Sequence, residues 1–415
     1  MRLVNPLSIL AMAWSVTCCA AWVALAMPNT FDLLPELLWR EDIDLRGFTW
    51  IGAVWLLTAF AIYAICDQAT AMHLGPPRAP RPNQVSSRLT NLTFWAHMAM
   101  STIVSAWIVT AALGHGGVRP LLARAQEDPV AARDVLLNAK LFPGMRLFYA
   151  CLSGTAALAV AILANDETPT TRTKAMCFCV VLSGAILLTV LPLVMSQRLL
   201  LLHYICALAI TDMLVSGRLR ALWWLALGAL AFAAVWFGRE ALTTSAFTDG
   251  GAHAGLQKLL FYTVNDLWNS IAPLSADIEH TWGVLSLRAF AVFAASETAW
   301  LNQAAGPLHL LDRVQGGGEF SLFSTAFVDF GAVGGGAMIA GLASLFRWAY
   351  WCGCSSAIAA AIYAQIGAAL TLAPHAPYVL HQNVLFSVIM IVVLTSLSGR
   401  QTAQSAVFRT LRRHG

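Results

Sequence analysis

The run Ser324–Gly341, STAFVDFGAVGGGAMIAG, decides how the rest of the chain is read. It is apolar enough to lie in a bilayer, yet it carries Asp329 together with Gly331, Gly334, Gly335, Gly336 and Gly341. A carboxylate inside hydrocarbon is costly and marks a functional or tightly paired position. Glycines smooth a helix face so that a neighbour approaches closely. Two readings of Asp329 stay open: it holds a buried arginine in place, or it touches a substrate. Just upstream lies the one long polar excursion, Arg239–Phe320. It carries Arg239, His253, Asp266, Asp277, Glu279, His280, Arg288, His309, Asp312, Arg313 and Glu319 before running into the helix expected over Ser321–Trp348. Polar groups gathered at a membrane surface are costly unless they are used, so the function is sought here.

The composition sets the class. Of 415 residues, 58% are hydrophobic and 11% charged, and the mean hydropathy is +0.68. A soluble chain carries roughly 25% charge, so the expected class is an all-α polytopic membrane protein. The net charge of +4 reads as an orientation signal and gives no footprint for nucleic acid. Cysteines such as Cys18, Cys66, Cys151 and Cys206 lie inside apolar runs and read as small apolar filler. Arg2 and the apolar run ending at Ala26 read as an uncleaved first span, not as a secretory signal.

Ten spans are expected, at about 7–27, 47–66, 93–113, 142–164, 175–195, 199–215, 221–238, 322–346, 353–373 and 384–398. They form one integral domain over 1–415, with 239–320 as a long outer loop. Loop 28–46 is acidic, while loop 67–92 carries Arg78, Arg81 and Arg88. The turn with Arg218 and Arg220, Arg347, and the tail with Arg409, Arg412 and Arg413 fall on the same side as loop 67–92 by alternation. The positive-inside bias therefore places both termini in the cytoplasm. The outer side still holds Arg119, Arg124, Arg133, Arg146, Arg198, Arg239, Arg288 and Arg313. An anionic ligand on that side explains the excess.

The long loop has helical periodicity. Leu256, Leu259, Leu260, Val264, Leu267, Trp268 and Ile271 recur at helical spacing, and Pro273 ends that helix. A second amphipathic helix over Val284–Gln303 is expected to lie at the interface. No tandem repeat and no inverted halves are visible.

Candidate chemistry follows from position. Arg198 sits in the tight turn Ser196-Gln197-Arg198; it either snorkels or aims its planar fork at a phosphate. His280-Thr281-Trp282-Gly283 precedes Arg288, whose charge on an apolar helix demands a specific partner. Trp282 stacks on a sugar ring or sits in the headgroup belt; His280 is a base or a plain surface histidine. Asp312, Arg313 and Gly316–Gly318 lead to Glu319, which caps the following helix or acts as a general base. His375 and His381 in the last outer loop are weaker candidates. No paired carboxylate–histidine cluster is visible, so neither a metal nor a cofactor is expected.

A span ending in Ser-x-Arg, a long outer loop with a glycine-then-arginine region, and TAFVDFGAVGGG opening a glycine-rich helix together resemble the Wzy-type O-antigen polymerases, the oligosaccharide repeat-unit polymerases of bacterial envelopes. The resemblance covers Leu191–Leu345, and Asp329-Phe330-Gly331 with Gly334 is its most specific part. It implies an all-helical fold of about ten spans with interfacial helices in one periplasmic loop, similar to the lipid-linked-sugar glycosyltransferases (GT-C-like). It implies a metal-independent transferase of the bacterial inner membrane that joins undecaprenyl-diphosphate-linked oligosaccharides, with a chain-length regulator as a possible partner. Arg198 matches the motif arginine. Arg239, Arg288 and Arg313 are further outer arginines by location. Glu319, His280 and Arg288 would then serve the chemistry, with Asp329, Gly331 and Gly334 in support. Glu319 stands near where the related O-antigen ligases show a His-Asn pair. Rival readings are such a ligase, a flippase or transporter for lipid-linked sugar, and a non-catalytic envelope subunit.

Overall fold

The computed structural model describes residues 2–27, 30–77, 87–127, 129–139, 142, 144–166, 168–195, 199–217, 221–242, 252–275, 278–293, 299–300, 314–315 and 318–413. Among these residues the structure is helical, with no strand. The first half contains α1 (Pro6–Ala26), α2 (Leu34–Arg40), α3 (Trp50–Leu74), α4 (Ser87–Gly114), α5 (Val118–Glu127), α6 (Pro129–Asn138) and α7 (Arg146–Asn165). The second half contains α8 (Thr171–Met195), α9 (Leu199–Ser216), α10 (Ala221–Leu242), α11 (Ala252–Ile271), α12 (Arg288–Phe293), α13 (Leu322–Gly353), α14 (Ala357–Leu370) and α15 (Gln382–Arg413).

Every expected span falls on a helix. Among the described residues eight helices are long and apolar enough to cross a membrane, and the other two expected spans fall on the shorter apolar stretches Trp223–Phe237 and Ala357–Leu370. Helix starts follow the capping rule that a side-chain oxygen accepts an otherwise orphaned N–H. Asn5 accepts from Ser8, Thr49 from Gly52, Ser321 from Ser324 and Ser356 from Ala359. α7 and α9 are interior, with 78% and 72% of their apolar windows buried, against 28–33% for α3, α4 and α8. At one end of the bundle Arg347 reaches Asp67 at 3.2 Å, joining α13 to α3. The partners are 12% and 0% exposed, so removing either side chain strands a buried charge.

The opposite end carries a packed layer. Trp268 donates its Nε1–H to the Asp44 carbonyl at 2.9 Å. Gln257 accepts from the Leu33 N–H at 2.7 Å. The Thr49 hydroxyl lies 3.0 Å from the Ile271 carbonyl and 2.8 Å from that of Leu274. The amphipathic helix expected before Pro273 is α11, and it forms the spine of this layer.

Two expectations need correction. Ser321–Trp348 is not one straight helix. Gly331 has φ 69 and ψ −172, a conformation that is essentially glycine-only. The Ala326 carbonyl lies 2.6 Å from where a Cβ on Gly335 would stand. On a straight helix those residues would be about 13.5 Å apart along the axis. The chain therefore folds back, with a short arm 322–330 and a long arm 332–353. The long arm alone has about the 20 residues that a crossing needs. Phe323 anchors the short arm: its ring stacks on Trp14 at 6.0 Å and packs against Phe60 and Tyr63, and its carbonyl accepts from Trp55 Nε1 at 2.8 Å. A Cβ on Gly331 would meet His280 Nε2 at 2.7 Å. Gly331→Ala is thus expected to cost about 1–3 kcal/mol from backbone strain, with the clash added. Gly341→Ala, with nothing within 4 Å, should be neutral. Thermal unfolding of the detergent-purified variants checks both.

The second correction concerns the helix expected over Val284–Gln303. Residues 282–287 are turns, and the helix begins only at Arg288. Trp282 (φ 53) and Gly283 (φ 94) take left-handed backbone conformations that a right-handed helix does not tolerate. Residues 294–298 and 301–303 lie outside the described residues.

Candidate functional site

Asp329 organises the turn. Its carboxylate is fully buried and accepts four hydrogen bonds, from the Thr281 hydroxyl, the Leu285 N–H at 3.1 Å, the Ser286 N–H at 2.7 Å and the Ser286 hydroxyl. Its carbonyl accepts the Trp282 N–H at 2.8 Å. Carboxylate acceptors give the stronger class of hydrogen bond. Asp329 therefore pins residues 281–286 onto the fold-back of α13. Among the described residues its partners are these hydroxyls and amides, and no arginine is one of them.

That turn delivers Arg288 to a cavity of about 230 Å³ at the same end of the bundle as the packed layer. Arg288 and Leu285 contribute one part of its wall. Glu319 comes from the loop before α13 and Thr325 from its first turn; Tyr378 and His381 come from the segment between α14 and α15, and Gln382 opens α15. Glu319 is placed by its neighbours. Asn269 on α11 accepts the Gln315 N–H at 3.0 Å and donates to the Gln315 carbonyl at 3.0 Å. A Cβ on Gly318 would overlap the Asn269 amide nitrogen. Gly318 thus allows the loop to lie against Asn269; Gly316 and Gly317 lie outside the described residues. The Leu322 N–H then bonds the Ala373 carbonyl at 3.0 Å.

The remaining wall is largely apolar, with Ala289, Val314, Phe320 and Leu380, and carries an aromatic and polar group at Tyr378, His381 and Gln382. The rings of Tyr378 and His381 are stacked at 5.2 Å, and Tyr378 lies edge-on to His203 at 5.5 Å. Asn383 donates to the Tyr378 hydroxyl at 3.3 Å. Burial pushes that hydroxyl well above its ordinary pKa, against the Asn383 hydrogen bond, so Tyr378 presents a neutral O–H. His203 Nε2 lies 3.2 Å from the Gln365 carbonyl beneath the cavity. Behind the wall His375 Nδ1 lies 2.7 Å from Asp266 Oδ1.

The anticipated site residues divide into three groups. Arg288 and Glu319 line one cavity. His280 does not line it: its ring packs edge-on to Phe327 at 6.0 Å and to Trp282 at 6.5 Å, filling the notch at Gly331. Its Nδ1 is buried without a hydrogen-bond partner among the described residues. Gly331 and Gly334 serve the fold-back, where a Cβ on Gly334 would stand 2.7 Å from Phe330 Cβ. Arg198 and Arg313 lie outside the described residues, and Arg239 lies in the last turn of α10 with its side chain outside them. Tyr378 and Gln382 were not anticipated. Among the described residues no group of three His, Cys, Asp or Glu side chains could hold a metal ion.

Comparison with protein-family models, with curated proteins and with solved structures returns no match. The fold itself defines the class: an all-α polytopic membrane protein with a cavity at one end of the bundle whose largely apolar wall carries Arg288 and Glu319.

Proposed function

We propose that this protein is a glycosyltransferase that polymerises undecaprenyl-diphosphate-linked oligosaccharide repeat units at the periplasmic face of the bacterial inner membrane. The observation that carries the reading is the meeting of Arg288 and Glu319 in one cavity. The orientation follows the positive-inside bias of the short loops, with both termini cytoplasmic. The cavity end then faces the periplasm, where lipid-linked units await joining.

The chemistry suits the residues. An acceptor hydroxyl oxygen forms a bond to the anomeric carbon of the donor sugar. The bond from that carbon to the lipid diphosphate breaks, and the diphosphate leaves with the electron pair. Glu319 takes the hydroxyl proton. Arg288 stabilises the negative charge growing on the leaving diphosphate, and its planar fork suits paired phosphate oxygens. Tyr378 donates a hydrogen bond to the sugar or its leaving oxygen, and its stacked pair with His381 offers a flat wall to a pyranose face. Two membrane-held substrates aligned in one cavity meet without the entropy cost of a bimolecular encounter. Arg198, Arg239 and Arg313 supply further positive charge on this face by their place in the sequence.

Deletion of the gene in its native host tests the reading. The expected strain makes core lipopolysaccharide capped by a single repeat unit. Core with no repeat indicates a ligase or flippase instead, and full-length chains remove the polymerase reading.

A further inference from the structure

We infer that His375, clamped by Asp266 beside the segment that carries Glu319, is a positioning residue for Glu319: its charge keeps the cavity wall balanced for an anionic substrate. This rests on the polymerase reading and extends it to residues that the reading does not use.

The geometry brings three distant pieces of chain together. Asp266 comes from α11, His375 from the segment after α14, and Glu319 from the loop before α13. The Asp266–His375 pair joins residues 109 apart in sequence at 2.7 Å. Its side chains are only 13% and 21% exposed, so solvent and salt screen it less than a surface pair. The Leu322–Ala373 hydrogen bond lays the Glu319 segment alongside that of His375. The backbone of His375 is fixed by its own N–H to the Leu372 carbonyl at 3.0 Å. Ala376, Pro377 and Tyr378, which follow it directly, line the cavity.

Burial alone would strip the proton from His375. The Asp266 charge and hydrogen bond, with the Glu319 charge added, more than offset this and hold the imidazole above its ordinary pKa. The other titratable or charged groups lining the same cavity are Arg288 from α12, and Tyr378 and His381 from His375's own segment. When His375 loses its proton, Asp266 and Glu319 are left with one fewer positive neighbour. An incoming diphosphate then meets net negative charge. Activity should therefore fall as pH rises through the raised pKa of His375. Removing the Asp266 charge lowers that pKa, so the fall should come at lower pH.

The test uses the full chain reconstituted in vesicles. The substrate is undecaprenyl-diphosphate-linked repeat unit extracted from the deletion strain, and chain formation is followed from pH 5.5 to 9.5. The wild-type rate should fall on the alkaline side. In Asp266→Asn the fall should move down by about one pH unit or more, in line with the usual effect of a close carboxylate. Asp266→Glu should keep the wild-type position, and His375→Gln should be slow with no fall from this group. A wild-type profile that stays flat to the top of the range overturns the inference, whether or not the variants fold. So does an Asp266→Asn profile lowered uniformly with its shape unchanged, which marks a structural contact only. Wild-type vesicles that make no chains at any pH overturn the polymerase reading itself, and this role with it.

Discussion

Asp329→Ala is expected to remove the folded protein from the membrane. The carboxylate is wholly buried and receives four hydrogen bonds. Hydrogen bonds to charged groups contribute about 1.5–3 kcal/mol each, and a buried donor left unmade costs a further 1–3 kcal/mol. Even with half of that recovered by water, the loss is about 5 kcal/mol, the lower end of a typical domain's whole stability. The loss also falls on one structural joint, where the turn 281–286 meets the fold-back at Gly331. Asp329→Asn keeps one acceptor oxygen and should fall between alanine and wild type. Protein level in isolated membranes and monodispersity on size exclusion check the prediction. A normal level and a normal melting temperature for Asp329→Ala would mean that this joint carries no load.

Arg288→Ala is expected to do the reverse, leaving the protein inserted while its product disappears. If its guanidinium acts on the leaving diphosphate as a preorganised donor acts on an oxyanion, its loss costs about 2.7–4 kcal/mol, or about 10²–10³ in rate. At that level the long-chain ladder vanishes from a lipopolysaccharide gel. Arg288→Lys keeps the charge but not the paired geometry, so short chains at reduced yield are expected. Glu319→Gln should match Arg288→Ala, because an amide cannot take the hydroxyl proton. A full ladder from Arg288→Ala at normal protein level would take the diphosphate out of this cavity. The two experiments separate cleanly, since Asp329 faces the turn and Arg288 faces the cavity.

The sequence was legible wherever a single physical property decides. Twenty apolar residues in a row have one economical home, so the long apolar helices were readable from hydropathy. α11 was readable because its apolar residues recur at helical spacing and Pro273 follows. The fold-back was not readable. Hydropathy is blind to φ, and a glycine-rich apolar run has the same mean whether it is straight or folded at Gly331. Asp329 stood out as costly, but its partners are hydroxyls and backbone amides that composition does not flag. His280 read as a surface histidine or a base because nothing in the sequence shows that Gly331 and Phe327 make a niche for its ring. Asp266 and His375 meet across 109 residues, and only long-range packing makes that pair. One signal was present. The segment PHAPYVLHQN, residues 374–383, puts two histidines, a tyrosine and two amides between spans, more polar chemistry than a plain turn needs.

The short arm 322–330 has a consequence for how the chain is made. At about 13.5 Å of helix it cannot cross a bilayer by itself. The side chains that receive Phe323 are Trp14, Trp55, Phe60 and Tyr63, all on α1 and α3. The receptacle is thus synthesised long before the piece that fills it, and Glu319 gains its final seat only after residues 376–382 have followed it. A lesion on α1 or α3 can therefore silence a carboxylate encoded far downstream without touching it.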